Sequence, residues 1–389
     1  MSMRAPPPLW LLVLITFSAT LAMHMFVPAL ATVAHDLRAS PASVQLTISL
    51  YVLGLAFGQL AYGPLSDLYG RRPLLLGGLA LFTMAGIVCM LAKGVETLIV
   101  ARFIQALGGC SGLLLARAIV RETGDGQSTV KRLALLGLIA LVSPGLGPLV
   151  GGQLAVWFGW RSILLLLVLF GAVALILSWR LLGETLPLAR EKRSITRDYL
   201  LLLQSRRFVA LVIAGGCSSN AVYAFIAASP FIIIQQLKRP VEDAGLILAL
   251  LMVCVAAGTF SAPRLVRRVS ESRVIVGTTL FSLAVAIAML ARTLSAGADT
   301  LTIVAGMGLY CVGIGACHPV VQARAMSGNA KVIGSAAGLY GFAQMSIGAL
   351  CAALAGLGQD HAVTALGVLV GAGFLGQAAF QVALQPTTR

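Results

Sequence analysis

The sequence predicts an all-α membrane protein of twelve transmembrane helices arranged as two sets of six. Three observations predict it: twelve apolar stretches of bilayer-crossing length, a composition 59% hydrophobic and only 11% charged, and basic residues that recur in alternate loops. A hydrocarbon core about 30 Å thick needs roughly 20 apolar residues per helix. In lipid, helices satisfy their own backbone hydrogen bonds, so repeated stretches of that length leave little chain for a soluble domain. The spans read as 9–31, 43–64, 74–92, 97–120, 133–155 and 161–183, then 208–235, 243–262, 274–294, 300–323, 332–357 and 362–384. Of the 28 Lys and Arg, 21 fall on one side of the membrane and six on the other, with Arg102 inside span four. The positive-inside bias therefore places both termini and the middle loop in the cytoplasm. The net charge of +15 is distributed over loops and forms no stripe, which excludes a nucleic-acid surface.

Span one follows Arg4, and Ala29-Leu30-Ala31 resembles a leader cleavage site. Its apolar run is too long for a leader, so it is read as a span. His24 within it lies about seven residues, roughly 10 Å of helical rise, from the predicted outer end. It is the one titratable candidate in that span, either a proton carrier or a neutral hydrogen-bonded side chain. Span two holds Tyr51 and Gln59, and the turn after it reads Gly63-Pro64-Leu65-Ser66-Asp67-Leu68-Tyr69-Gly70-Arg71-Arg72-Pro73. Asp67 is expected to begin the turn into span three and to accept its free amides. On span four, Arg102, Gln105, Gly109, Gly112 and Ala116 share one face. An Arg one turn inside a span costs roughly 2.5–3.5 kcal/mol unless it snorkels or is given partners. Span five sets Ser143, Gly147 and Gly151 on one line and Pro144, Pro148 and Gly152 on the next, either a close-packed seam or a gating helix.

After span six the stretch 184–207 is the only long polar segment, which divides the chain into 1–183, a linker, and 208–389. The two sets echo each other at an offset near 200, with Leu65 against Leu265 and Gly77 against Gly277. Parallel repeats of this kind mark alternating-access transporters. Asn220, Tyr223, His318, Gln322, Tyr340 and Gln344 are the polar residues embedded in the second set. Together with Tyr51 and Gln105 they are the candidates for a substrate cavity. Every one of the thirteen acids lies in a loop or at a span end. The seven cysteines all lie in apolar spans without metal-ligand spacing, so neither disulfide, metal nor cofactor is expected. No nucleotide-binding loop or catalytic constellation is present, so an enzyme is not expected either.

The turn around Asp67 is similar to motif A of the major facilitator superfamily, with Leu68 where the pattern usually has Arg. Arg102-Phe103-Ile104-Gln105-Ala106-Leu107-Gly108-Gly109 resembles its motif B. Ser143-Pro144-Gly145-Leu146-Gly147-Pro148-Leu149-Val150-Gly151-Gly152 resembles motif C of its drug:proton antiporters. Met25-Phe26-Val27-Pro28-Ala29-Leu30 and Gly334-Ser335-Ala336-Ala337-Gly338 narrow the resemblance to Bcr/CflA-type multidrug exporters. It implies the major facilitator fold and a monomer in the bacterial inner membrane that exchanges small amphipathic compounds for protons. It further implies a latch in which Asp67, Arg71 and Arg72 close the cytoplasmic side against span eleven and Arg117. His24 stands where that group commonly has an Asp, so the resemblance leaves His24 and Arg102 as the proton-coupling candidates. Without a mid-membrane carboxylate, neutral or anionic substrates are expected over cations. An exporter of a native metabolite, or a facilitator uncoupled from protons, is the alternative.

Overall fold

The computed structural model describes residues 7–123, 126–185, 195–326 and 333–384. Twelve helices in it are long and apolar enough to cross a membrane, from the 20 residues of Ala336–Ala355 to the 31 of Arg206–Gln236, and no strand occurs among the described residues. In order they are Leu9–Asp36, Pro41–Tyr69, Arg71–Leu91, Val95–Thr123, Leu135–Phe158 and Trp160–Leu181, then Arg206–Gln236, Val241–Arg268, Glu271–Ala296, Thr300–Ala325, Ala336–Ala355 and His361–Leu384. Spans one, two, four and seven are the most enclosed, whereas spans six, nine and twelve show large apolar side chains outward.

The helices outrun the apolar stretches that predict them. Hydropathy marks the hydrocarbon slab, whereas a helix continues wherever its backbone bonds do. Arg71, Arg121, Arg267 and Arg268 therefore sit on helix ends and not in loops. Span one also outruns its stretch, on to Asp36 through a single 3₁₀ turn at Val27–Ala29, set by Pro28. Asp36 accepts a hydrogen bond from Trp160 Nε1 at 2.9 Å. His24 is consequently twelve residues from the end of its span, roughly 18 Å of rise, deeper than the sequence reading placed it. Span seven is irregular too, with one π-helical stretch near its middle at Gly216–Asn220 and another at its end, Phe231–Gln236. Such stretches widen a helix and free backbone geometry for function.

The turn after span two is tight because Gly70 takes φ +93°, a backbone conformation that a side chain disfavours. Asp67 lies before it, in the last turn of span two, and not in the turn itself. The carboxylate that accepts the first amides of span three is Glu184, from beyond span six, with Arg71 N at 2.9 Å and Arg72 N at 3.2 Å. This corrects the expectation for Asp67. A local acid can cap only if the chain enters the helix directly from it, and here Gly70 intervenes.

The two sets of six meet along two seams. Span two faces span eleven, where the rings of Phe57 and Phe342 stand 5.6 Å apart and Gly356 faces Ala42 and Gln45. Span five faces span eight, where Gly152 comes 3.9 Å from the Cα of Gly245, measured from an ideal Cβ. Gly152 meets span eight near its start, at Val241 and Gly245, in the half of the bundle that carries few basic residues, while Gly338 and Gly341 of span eleven face Gln59 of span two nearer the basic-rich end.

Candidate functional site

Arg102 is fully enclosed between spans one, two and four, so it does not snorkel. Its Nη1 donates to Gln105 Oε1 and its Nη2 to the Ala22 carbonyl, each at 2.8 Å. The guanidinium carbon lies 4.1 Å from the ring centre of Tyr51 and 4.9 Å from that of Phe26. Stacking on two rings and two strong hydrogen bonds offset the burial of charge. Every one of those partners is neutral. Arg102 Nε and Gln105 Nε2 are buried donors without a protein acceptor among the described residues. The centre thus holds net positive charge and surplus donors. Tyr51 and Gln105, expected on a cavity wall, are here enclosed around Arg102.

His24 lies two residues past the carbonyl that Arg102 holds. Its Nδ1 is 3.0 Å from the Thr20 carbonyl. A carbonyl can only accept, so in the neutral ring Nδ1 carries the proton and Nε2 is the free basic nitrogen. Thr20 in turn donates to Ser143 Oγ at 2.7 Å, which ties span one to span five. The two lines on span five have different partners. Gly147 and Gly151 let the backbone of His24 and Met25 approach, with an ideal Cβ on Gly147 only 2.9 Å from His24 Cβ and one on Gly151 only 2.9 Å from Met25 Cα. Pro148 and Gly152 face span eight, where an ideal Cβ on Gly245 would stand 2.6 Å from the Pro148 carbonyl oxygen. The first line holds the N-terminal set together, and the second lies between the two sets.

The polar residues of the second set are uncharged in kind and only partly satisfied. Asn220 Nδ2 and Ser219 Oγ on the π-helical stretch, Ser346 Oγ on span eleven and His318 Nδ1 on span ten are buried without a protein partner among the described residues. Tyr223 reaches across to the first set, its hydroxyl 3.8 Å from Met23 Sδ. Gln344 Nε2 donates to the Tyr340 hydroxyl at 2.7 Å. Gln322 is half-buried, one turn beyond His318. Tyr223 and Asn220 also flank Gly348, so spans seven and eleven touch beside these groups.

At the basic-rich face the ends of four helices of the first set are tied through Arg71, which is nearly enclosed. It pairs with Asp67 at 2.6 Å and forks onto Glu122 Oε1 from Nε at 3.1 Å and Nη2 at 2.9 Å. It also donates to Ser66 Oγ. Arg72 Nη2 donates to the Trp179 carbonyl at 2.9 Å, and Thr185 Oγ1 donates to Glu122 Oε2 at 3.1 Å. Two donors converge on one carboxylate oxygen, and hydrogen bonds between ionised groups are among the stronger ones. Glu122 and Glu184 were not singled out by sequence; the only signal they offered was being the first acids after spans four and six. Arg117 is half-buried and makes no ion pair among the described residues. The residues leading into span eleven, 327–332, lie outside the described residues, as does 186–194 of the linker.

Twelve apolar spans that carry buried polar side chains define a multi-pass membrane protein. The chain belongs to the Major Facilitator Superfamily, whose family model matches residues 12–353. It is 28% identical over 382 residues to an uncharacterized MFS-type transporter, YdgK, of Bacillus subtilis (strain 168), covering 95% of this chain and 94% of that one. It is 32% identical over 310 residues to the multidrug transporter MdfA of Yersinia pestis bv. Antiqua (strain Angola), with 78% and 75% covered. Among solved structures it is similar to the nucleoside transporter NupG (D323A mutant), with TM-score 0.77, 14% identity and 97% and 99% of the two chains covered. A D-xylose-proton symporter superposes equally well, with TM-score 0.77, 13% identity and 97% and 96% covered.

Proposed function

We propose that this chain exports small neutral or anionic amphipathic compounds across a bacterial inner membrane, by proton antiport with alternating access, as a Bcr/CflA-type multidrug exporter. In this reading both termini are cytoplasmic, units 1–183 and 208–389 rock about the linker, and the basic-poor end of the bundle is the periplasmic one. The observation that carries the substrate class is Arg102: a buried guanidinium with neutral partners only and surplus donors beside it. At a separation of about 10 Å and an effective dielectric constant near 20, it disfavours a monovalent cation by about 1.7 kcal/mol, roughly tenfold or more. Similarity to multidrug transporters supports the cargo, and the uncharged hydroxyl and amide groups of spans seven, ten and eleven suit a neutral amphipath.

His24 is the proton carrier in this reading. Its Nε2 gains the proton, and the charge is felt by Arg102 through the shared turn of span one, which moves the guanidinium off Ala22. Asp67, Arg71 and Arg72 brace the cytoplasmic end; on the gating helix, span five, Pro148 and Gly152 form the sliding surface between the sets, and Gly147 and Gly151 hold that helix to span one. The test is drug susceptibility in a pump-depleted bacterial host, with the intact chain and His24→Ala at equal expression. The intact chain is expected to protect against chloramphenicol-like and sulfonamide-like compounds, and His24→Ala to lose that protection. Equal protection by both variants removes His24 from the mechanism. Protection against no drug, with resistance to an excess metabolite instead, favours export of a native metabolite.

A further inference from the structure

A short helix, Ile195–Gln204, lies in the linker and stops one residue before span seven begins at Arg206. Its inner side is docked: Leu202 and Tyr199 join the apolar cluster of the second set with Phe208, Leu339 and Tyr340. The Tyr199 hydroxyl lies against Gly338 of span eleven, 3.5 Å from an ideal Cβ there. Its outer side is apolar too. Leu200, Leu201 and Leu203 are 55%, 54% and 55% exposed. A helix joined this closely to a membrane span sits at the bilayer surface. Three leucines that nothing among the described residues covers are at home there only at the boundary of headgroup and acyl chain.

The charge beside them chooses the lipid. Arg206 and Arg207 are both exposed directly after the helix. Over 183–207 the sequence carries six Lys and Arg, namely Arg190, Lys192, Arg193, Arg197, Arg206 and Arg207, against the three acids Glu184, Glu191 and Asp198. We propose that the linker helix Ile195–Gln204 is a membrane-reading element: its outer leucines enter the leaflet while Arg206 and Arg207 hold anionic phospholipid headgroups. Because its inner face touches span eleven, which in turn packs on span two, lipid engagement there bears on how the two sets meet. The inference is independent of what the chain transports.

The test uses the full-length chain with Leu201→Cys carrying an environment-sensitive fluorophore, reconstituted into mixed phosphatidylcholine and phosphatidylglycerol vesicles. One preparation carries brominated acyl chains on the phosphatidylglycerol and the other on the phosphatidylcholine, at equal mole fraction. Quenching by brominated phosphatidylglycerol is expected to be roughly threefold stronger or more, and to fall to parity when Arg206→Gln and Arg207→Gln are combined. Leu200→Ser with Leu203→Ser is expected to weaken quenching by both lipids, in protein that remains monodisperse. Absence of quenching by either lipid overturns the proposal, because the helix then faces water. Equal quenching by both overturns its headgroup half.

Discussion

Arg102→Ala is expected to cut transport at least about tenfold at equal membrane abundance. The substitution strands the Ala22 carbonyl and the Gln105 amide, both buried, and each lost charged hydrogen bond is worth roughly 1.5–3 kcal/mol. It also empties the space between the Tyr51 and Phe26 rings. Arg102→Lys is expected to fail almost as badly although it keeps the charge. An ammonium cannot reach a span-one carbonyl and a span-four amide at once while lying flat on an aromatic face. Transport assays on the two variants, with monodispersity in detergent as the folding control, check this. Full activity in Arg102→Lys would show that charge alone suffices and that the forked geometry is incidental.

Gly245→Leu is expected to abolish transport by a different route, holding the two sets apart at the basic-poor end. A Cβ on Gly245 already meets the Pro148 carbonyl at 2.6 Å, and its obstacle is backbone, which cannot rotate away. Overpacking a fitted contact costs typically 1–3 kcal/mol, enough to reverse an equilibrium between two states of similar energy. Ala42→Cys, placed where span two meets Gly356 directly after span eleven, reports the outcome. Its reaction with a membrane-impermeant maleimide from the outside is expected to rise by roughly tenfold when Gly245→Leu is added. An unchanged labelling rate would mean that the span five–span eight seam does not govern that end. Gly147 and Gly151 face span one instead, so substitution there is expected to impair the first set without opening the seam.

These predictions show which parts of the molecule were legible in the sequence. Twelve apolar stretches specify twelve helices because lipid leaves a backbone few other options, and the small-residue lines of span five are explicit in their four-residue spacing. Their partners are not. Nothing local tells Gly147 and Gly151 to seek span one while Pro148 and Gly152 seek span eight, since that choice follows from how the two sets fit. Span ends were missed wherever a helix leaves the hydrocarbon with a basic last turn, as at Arg267 and Arg268. Glu184 was missed as the cap of span three because it comes from 113 residues away. The π-helical turns of span seven left only the run Gly215-Gly216-Cys217-Ser218-Ser219-Asn220, small and polar within an apolar span, as a trace in the sequence.

The motif carrying Arg102 is where sequence and structure add most to each other. An Arg inside span four is plain from sequence, but its burial and its clamp are not: Tyr51 comes from span two, and Ala22 and Phe26 from span one. Without those partners the neutrality of its surroundings could be read only from the absence of acids in the spans. With them, each acceptor is identified and none is a carboxylate. His24 stands two residues along span one from the carbonyl that Arg102 holds, which is the geometry on which the proposed proton coupling rests.

The charge preference that follows is tested most directly in everted membrane vesicles energised by a proton gradient, with uptake of a radiolabelled chloramphenicol-like compound measured beside that of ethidium. Gradient-dependent uptake of the neutral compound, at least roughly tenfold more efficient than that of ethidium and collapsed by a protonophore, is the predicted result. Strong ethidium uptake matching or exceeding that of the neutral compound would contradict it, because a cavity governed by an uncompensated Arg102 could not favour a lipophilic cation.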